Sequence, residues 1–182
     1  MVQVAGVDVK TEGRPAILFD RDGVLNVDEG YSYDPARLVW IEGAREAVKM
    51  VNDVGALAIV VTNQSGIGRG YYTEAQMHAF HAAISAGLAE IGARIDAFYF
   101  CPFHEDANDV ALRIADHPDR KPNPGMLLRA IADHSIDTAR TVMIGDKLTD
   151  MQAADRAGVP GLMFRGGDLA AVVRGVLPRL LG

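Results

Sequence analysis

The chain has 182 residues, of which 49% are apolar and 23% are charged, and this composition excludes a globally disordered protein. A formal net charge of -6 without a basic cluster argues against nucleic acid as a partner. The sequence has one cysteine, Cys101, no signal-peptide pattern in residues 1–10 and no apolar run long enough to cross a membrane. We therefore expect a cytoplasmic protein with no membrane partner, either a monomer or a small homo-oligomer.

Segments with strand patterns alternate with segments with helix patterns along the chain. Strands are predicted from short apolar runs, and helices from apolar residues at helical spacing or from a capping residue such as Thr73. In chain order we predict a strand at 16–19, a helix at 43–54, a strand at 57–61, a glycine-rich loop at 66–70, a helix at 73–91, a strand at 97–100, an irregular stretch at 101–124, a helix at 126–133, a strand at 141–144, a helix at 148–157, a strand at 161–164 and a helix from 168. Such alternation is typical of a largely parallel sheet covered on both faces, so we predict one α/β domain over residues 1–182.

Polar residues follow each of the first four predicted strands. Residues 20–23 follow the first strand and residues 62–66 follow the second. Residues 120–122 end the long stretch after the third strand, and residues 145–150 follow the fourth. Because ligands of open parallel sheets bind beyond the carboxyl ends of the strands, we expect the four groups to converge on one site.

The residue types in these groups suit the transfer of a phosphoryl group. Asp20 is a candidate carboxylate nucleophile, and Asp22 is a candidate general acid that would later activate water. Asp20 and Asp146 offer oxygen ligands to a hard cation such as Mg²⁺. Lys121 would offset the charge of the transferring group, and the Thr62 hydroxyl would bind one of its oxygens.

Two further residues allow more than one interpretation. Asp150 complements the dipole of the helix that begins at residue 148, or supports the metal site without binding the ion; direct binding of the ion is the less favoured alternative. Arg69 lies in the glycine-rich loop and either reaches a second phosphate of the substrate or points into solvent.

The four motifs resemble, in the same order, those of the haloacid dehalogenase (HAD) superfamily. Longer stretches are similar to one group within it, which contains the heptose bisphosphate phosphatases and the histidinol-phosphate phosphatases. The resemblance extends from about Pro15 to Phe164. The matching stretches read DRDGVLNVDEGY from Asp20, VTNQSGIGRG from Val61, RKPNPGM from Arg120 and IGDKLTDM from Ile144.

This resemblance implies a single Rossmann-like three-layer domain with a mainly parallel sheet and no large cap domain. It implies a phosphomonoester hydrolase that forms an aspartyl-phosphate on Asp20, with Mg²⁺ as cofactor and a small phosphorylated metabolite as partner. The implied substrate is D-glycero-D-manno-heptose 1,7-bisphosphate or a similar sugar bisphosphate of carbohydrate metabolism. Two alternatives are open: a phosphatase for histidinol phosphate or another small metabolite, and a phosphate-binding module without turnover.

The resemblance also implies roles for individual residues. The expected catalytic residues are Asp20, Asp22, Thr62 and Lys121. Magnesium is expected on Asp20, on the carbonyl oxygen of Asp22 and on Asp146. The expected substrate-binding residues are Asp28, Tyr31, Asn63, Gln64, Ser65, Arg69 and Arg120.

One loop departs from the family pattern. Many heptose bisphosphate phosphatases bind zinc there through a cysteine, a histidine two residues later and two further cysteines. Here Cys101 is kept, but Phe103 stands in place of the histidine. His117 and Asp119 stand in place of the later cysteines. Either the zinc site is lost, or Cys101, His104, His117 and Asp119 still bind zinc; the missing thiolates favour loss.

Overall fold

Five strands form the central sheet of the computed structural model, which describes residues 13–182. The strands are β1 (Arg14–Phe19), β2 (Leu57–Asn63), β3 (Ala97–Cys101), β4 (Ile136–Gly145) and β5 (Gly161–Met163). Their order in the sheet is β3-β2-β1-β4-β5, and every neighbouring pair is parallel. The predicted α/β class with a parallel sheet is confirmed.

Helices cover both faces of this sheet and complete a three-layer, Rossmann-like arrangement. The helices are α1 (Ala44–Asp53), α2 (Ser65–Gly68), α3 (Glu74–Ala89), α4 (Gly125–His134), α5 (Leu148–Arg156) and α6 (Leu169–Leu181). Buried side chains of α1, α3 and α6 pack in one apolar cluster, and those of α4 and α5 pack in a second cluster. The sheet lies between the two clusters.

Alternation along the strands supplies the two cores. In β1, Ile17 and Phe19 join the cluster of α1, α3 and α6, whereas Ala16 and Leu18 join the cluster of α4 and α5. All four side chains are fully buried, which explains why the run is continuously apolar rather than alternating with polar residues.

The structure differs from the predicted elements mainly at their boundaries. The glycine-rich loop predicted at 66–70 contains the short helix α2, and β4 begins five residues earlier than predicted. The early start follows from a sharp break after α4, where Ser135 takes the left-handed conformation at a φ of 50°. The capping box of Thr73 and Gln76 at the start of α3 is confirmed.

The carboxyl ends of β1, β2 and β4 meet at one edge of the sheet. Phe19, the last residue of β1, is in register with Val60 of β2 and with Ile144 of β4. The next residue, Asp20, donates its N–H to the Ile144 carbonyl at 2.9 Å. The polar motifs that follow these strands therefore begin side by side.

No large cap domain covers this edge in the described part of the chain. The two longest connections, 20–43 and 102–124, consist of turns, bridges and one three-residue 3₁₀ helix each (Pro35–Arg37 and Val110–Leu112). Among residues 13–182, no helix is both long and apolar enough to cross a membrane. The prediction about a signal peptide concerns residues 1–10, which lie outside the described range, and the assignment of residues 1–182 to one domain stays a prediction.

Candidate active site

Lys121 lies between two carboxylates at the centre of the site, and all three side chains are buried. Its Nζ is 2.9 Å from Asp20 Oδ1 and 2.6 Å from Asp150 Oδ1. The contact with Asp150 is an ion pair at a poor hydrogen-bonding angle, whereas Nζ donates a hydrogen bond to the Val61 carbonyl at 2.9 Å. An unpaired charge at this depth would cost on the order of several kcal/mol, so the carboxylates account for the burial of the ammonium group.

Asn63, at the end of β2, fixes the backbone of Lys121. The Asn63 amide donates to the Lys121 carbonyl at 3.0 Å and accepts from the Lys121 N–H at 3.1 Å. The two-way contact ties the long 102–124 connection to the tip of β2, and it sets where the Lys121 side chain enters the site.

Burial and crowding of like charges shift the protonation of this cluster. Burial raises the pKa of Asp20 to about 6, although the Lys121 ammonium opposes the shift. Burial alone would lower the pKa of Lys121, but Asp20 and Asp150 outweigh it and the net shift is upward. Burial also raises the pKa of Asp146, with Asp150 and Asp28 adding to the effect. The positive charge of Lys121 therefore does not fully offset the negative charge of these carboxylates.

The residues present fit a magnesium ion. One carboxylate oxygen each from Asp20, Asp146 and Asp150 lies within 4.8 Å of the others, and Asp146 Oδ1 is buried without a hydrogen-bond partner among the described residues. Mg²⁺ prefers oxygen ligands and few carboxylates. Asp150, for which the sequence leaves direct metal binding open, is thus a candidate ligand beside the predicted Asp20 and Asp146. A role for the Asp22 carbonyl stays a prediction.

The carboxylate of Asp22 is not part of this group of three and is surrounded by hydrogen-bond donors. Arg21 donates from Nε to Oδ1 at 3.1 Å and from one terminal nitrogen to Oδ2 at 2.8 Å. Asn26 donates to Oδ1 at 3.0 Å, and Gln64 donates to Oδ2 at 3.0 Å. The side chain of Asp22 keeps 14% of its surface exposed, toward the cavity described next.

A cavity of about 470 Å³ opens beyond the catalytic residues and is connected to them through shared side chains. Six of the seven predicted substrate-binding residues line it: Asp28, Tyr31, Asn63, Gln64, Ser65 and Arg120. A smaller space of about 50 Å³ is lined by the predicted catalytic residues Asp20, Asp22, Thr62 and Lys121. Lys147 and Thr149 also line both spaces; neither is predicted from the sequence, although they stand next to Asp146 and Asp150.

Two of the predicted substrate residues have hydrogen bonds to other side chains of the site. Gln64 is 1% exposed, and its amide nitrogen bridges Thr62 Oγ1 at 2.9 Å and Asp22, while its carbonyl accepts from the Tyr72 hydroxyl. Arg69 does not line the cavity but lies behind Tyr31, to whose hydroxyl it donates at 3.2 Å. Gln64 therefore lines the cavity and is also held by its neighbours, whereas Arg69 is connected to the cavity through Tyr31. Their roles in substrate binding stay predictions.

The four candidate zinc ligands are engaged elsewhere. The ring of Phe103 stacks on His117 with centroids 3.7 Å apart, and Asp119 forms an ion pair with Arg129 at 3.2 Å. His104 lies 2.9 Å from a terminal nitrogen of Arg69. Cys101 is buried, and within residues 13–182 these four side chains do not form a group of three or more ligands. Whether this loop binds zinc stays a prediction, with loss of the site favoured by the missing thiolates.

The strand ends of this parallel sheet hold a buried aspartate, a lysine paired with it and a group of three carboxylates that fits a metal ion. This combination defines a phosphatase of the HAD type. The HAD-hydrolase-like family model matches residues 119–172. A D-glycero-beta-D-manno-heptose-1,7-bisphosphate 7-phosphatase of Rhodopseudomonas palustris is 40% identical over 165 residues, which cover 90% of this chain and 91% of the relative. A relative of the same name from Yersinia pestis is 42% identical over 149 residues, 82% of this chain and 79% of the relative.

A solved structure leads to the same group. The D,D-heptose 1,7-bisphosphate phosphatase from B. bronchiseptica, complexed with magnesium and phosphate, has a TM-score of 0.78 and 29% identity, and the match covers 90% of this chain and 98% of that one. The chain belongs to the HAD-like phosphatases, in the group of the heptose bisphosphate phosphatases. It is a phosphatase.

A substitution at Gly23 tests whether activity depends on the position of Asp146. Gly23 has a φ of 86°, and a Cβ atom there would overlap Asp146 Oδ2. We expect Gly23→Ala to cost about 1–2 kcal/mol in the free energy of unfolding and to lower phosphatase activity at least tenfold, because it displaces a candidate metal ligand. Gly92→Ala is the matched control, with a φ of 71° and open space around it; it should lose similar stability and keep full activity. Equal activity losses in the two variants would contradict this expectation.

Asp150 is tested through the concentration of magnesium that the enzyme requires. Asp150→Asn keeps the size of the side chain but removes one charge from the metal group, so half-maximal activity should need about 10–100-fold more Mg²⁺. Asp155→Asn, on the exposed face of the same helix, should leave the requirement unchanged. A lower maximal rate at an unchanged magnesium requirement would show that Asp150 acts on Lys121 alone.

Proposed function

We propose that this protein is a Mg²⁺-dependent phosphomonoester hydrolase that works through an aspartyl-phosphate on Asp20 and acts on a sugar bisphosphate, D-glycero-D-manno-heptose 1,7-bisphosphate or a close analogue. The observation that carries the proposal is the buried pair of Asp20 and Lys121, 2.9 Å apart, at the inner end of a polar cavity. A nucleophilic carboxylate needs an adjacent cation to approach an anionic phosphate.

In the first half-reaction, a carboxylate oxygen of Asp20 attacks the phosphorus atom. The bond between phosphorus and the ester oxygen breaks, and Asp22 gives its proton to that oxygen, so the alcohol leaves uncharged. Asp20 Oδ1 already accepts from the Arg21 N–H at 2.8 Å and pairs with Lys121, which fixes the plane of the carboxylate for attack.

In the second half-reaction, water attacks the phosphorus atom of the aspartyl-phosphate. Asp22, now ionised, accepts a proton from that water, the acyl-phosphate bond breaks, and inorganic phosphate leaves with the Asp20 carboxylate restored. Lys121 and the Thr62 hydroxyl contact the phosphoryl oxygens in both halves, because both side chains line the same small space as Asp20. A magnesium ion held by Asp20, Asp146 and Asp150 would neutralise charge on those oxygens.

The cavity supports a small, doubly anionic substrate. Its volume of about 470 Å³ suits a phosphorylated sugar, and its lining includes two cations besides Lys121, namely Arg120 and Lys147. Tyr31 and Ser65 add a ring face and a hydroxyl for a polyhydroxyl chain. Relatives are named for both the alpha and the beta anomer, and the proposal covers either.

Asp20→Asn tests the covalent mechanism. The amide keeps the shape of the side chain but is a poor nucleophile, so turnover should fall by at least about 10⁴-fold while the melting temperature stays within a few degrees. Wild-type enzyme quenched with acid during turnover of a ³²P-labelled substrate should carry label, and the variant should carry none. A variant that retains substantial turnover would exclude Asp20 as the nucleophile.

A panel of phosphate esters tests the substrate. We expect kcat/KM for heptose 1,7-bisphosphate to exceed that for the corresponding monophosphate by at least about tenfold, because Arg120 and Lys147 would pair with the second phosphate. Arg120→Met should erase this preference and leave the monophosphate rate nearly unchanged. A preference for histidinol phosphate would favour the alternative phosphatase, and failure to hydrolyse any ester with Mg²⁺ would favour a binding module.

A further inference from the structure

Arg21 is fully buried next to the proposed general acid, and the reaction above uses its backbone N–H alone. A buried guanidinium group is costly unless its donors are satisfied, so its surroundings show what it does. Each of its three nitrogens has a partner. Besides its three contacts with Asp22, the guanidinium donates to the Ser32 carbonyl at 2.7 Å, and its second terminal nitrogen lies 3.1 Å from His81 Nε2.

His81 anchors the far end of this guanidinium. Arginine has no acceptor, so Nε2 of His81 must accept and carry no proton. Burial lowers the pKa of His81 to about 3, and the charge of Arg21 adds to that shift, so the ring is neutral at physiological pH. The ring stacks on Phe98 at a centroid distance of 4.3 Å, and the guanidinium carbon lies 4.8 Å from the centre of the Phe80 ring. Helix α3 and strand β3 thus hold Arg21 in place.

Asp22 receives more contacts than it can keep during proton transfer. Its two oxygens have five donor contacts, three from Arg21 and one each from Asn26 and Gln64. One terminal nitrogen of Arg21 contacts both oxygens and also Ser32, so the contacts come from four N–H groups. A carboxylate offers about four lone-pair sites, and these are already filled, so at least one donor must withdraw before Asp22 can carry the proton that the ester oxygen receives. Gln64 can withdraw, because its amide nitrogen also has Thr62 Oγ1 at 2.9 Å. Arg21 is held at its other end and stays.

We propose that Arg21, anchored by His81, is a positioning residue that fixes the orientation of the Asp22 carboxylate during proton transfer. Gln64 is the donor that gives up its hydrogen bond to Asp22 when the substrate binds. The inference rests on the proposed role of Asp22 as general acid. The fork-shaped contact of Arg21 fixes both the plane and the direction of the carboxylate, which a single donor such as lysine would not do.

The test compares leaving groups, because only a defect in proton delivery depends on them. Purified variants are assayed with Mg²⁺ on the best alkyl phosphate of the panel, whose ester oxygen needs a proton, and on dinitrophenyl phosphate, whose phenolate leaves without one. The measured quantity is kcat/KM, which covers the steps up to loss of the leaving group. Asp22→Asn should lose about 10²–10⁴-fold on the alkyl phosphate and far less on the aryl phosphate.

The anchoring variants should show the same selectivity to a smaller degree. In Arg21→Lys, kcat/KM should fall at least about tenfold on the alkyl phosphate and less than about threefold on the aryl phosphate. In His81→Leu, kcat/KM should fall about fivefold on the alkyl phosphate and little on the aryl phosphate. His81→Gln, which restores an acceptor near the Nε2 position, should recover activity to within about twofold. His78→Leu, on the exposed face of α3, is the matched control and should match wild type on both substrates.

The outcomes separate this inference from the proposed function. Equal losses on the two substrates in Arg21→Lys or His81→Leu, with selective loss kept in Asp22→Asn, would overturn the positioning role and leave the mechanism intact. Wild-type enzyme without activity on either substrate would overturn both. If Arg21→Lys does not fold, the pair His81→Leu and His81→Gln decides, and a failure of Gln to recover more activity than Leu would overturn the anchor.

Discussion

The burial of Lys121 between Asp20 and Asp150 is the interaction on which the rest of the site depends. One oxygen atom from each of three carboxylates lies within 4.8 Å of the others, and like charges this close repel strongly in a buried environment. One ammonium group offsets only part of that charge. Burial raises the pKa values of Asp20 and Asp146, and the charge of Asp150 adds to both shifts. The negative charge that remains suits the site to a divalent cation. That cation would also neutralise the negative charge of a phosphoryl group bound there.

The parallel sheet makes this concentration of charge achievable. Adjacent strands deliver Asp20, Thr62 and Asp146 to one edge, and two amides at the end of β2 then fix their partners. Asn63 holds the backbone of Lys121, while Gln64 links Thr62 to Asp22. These amides are neutral, so they orient charged groups without adding to the repulsion between them. The same tip of β2 therefore organises both the lysine and the proposed general acid.

The loop after β3 is held by contacts of its own side chains. The ring of Phe103 stacks on His117 and so connects the two ends of the 102–124 connection, and an ion pair of Asp119 with Arg129 ties its second end to α4. Arg120, which lines the substrate cavity, donates to the Phe103 carbonyl at 3.1 Å and so depends on this packing.

The sequence by itself determined the α/β class, the approximate positions of the five strands and the residues at their tips, because burial patterns along a strand and motifs at its end are local. Only the tertiary structure showed that Asp150 lies with Asp20 and Asp146 in a group that fits a metal ion. It alone showed that Lys147 lines the cavity and that Arg69 contacts the Tyr31 hydroxyl. It also showed the contact between Arg21 and His81, which are 60 residues apart. The direction in which a polar side chain points depends on partners from distant elements, and no local pattern records which of them will be within a hydrogen bond's reach.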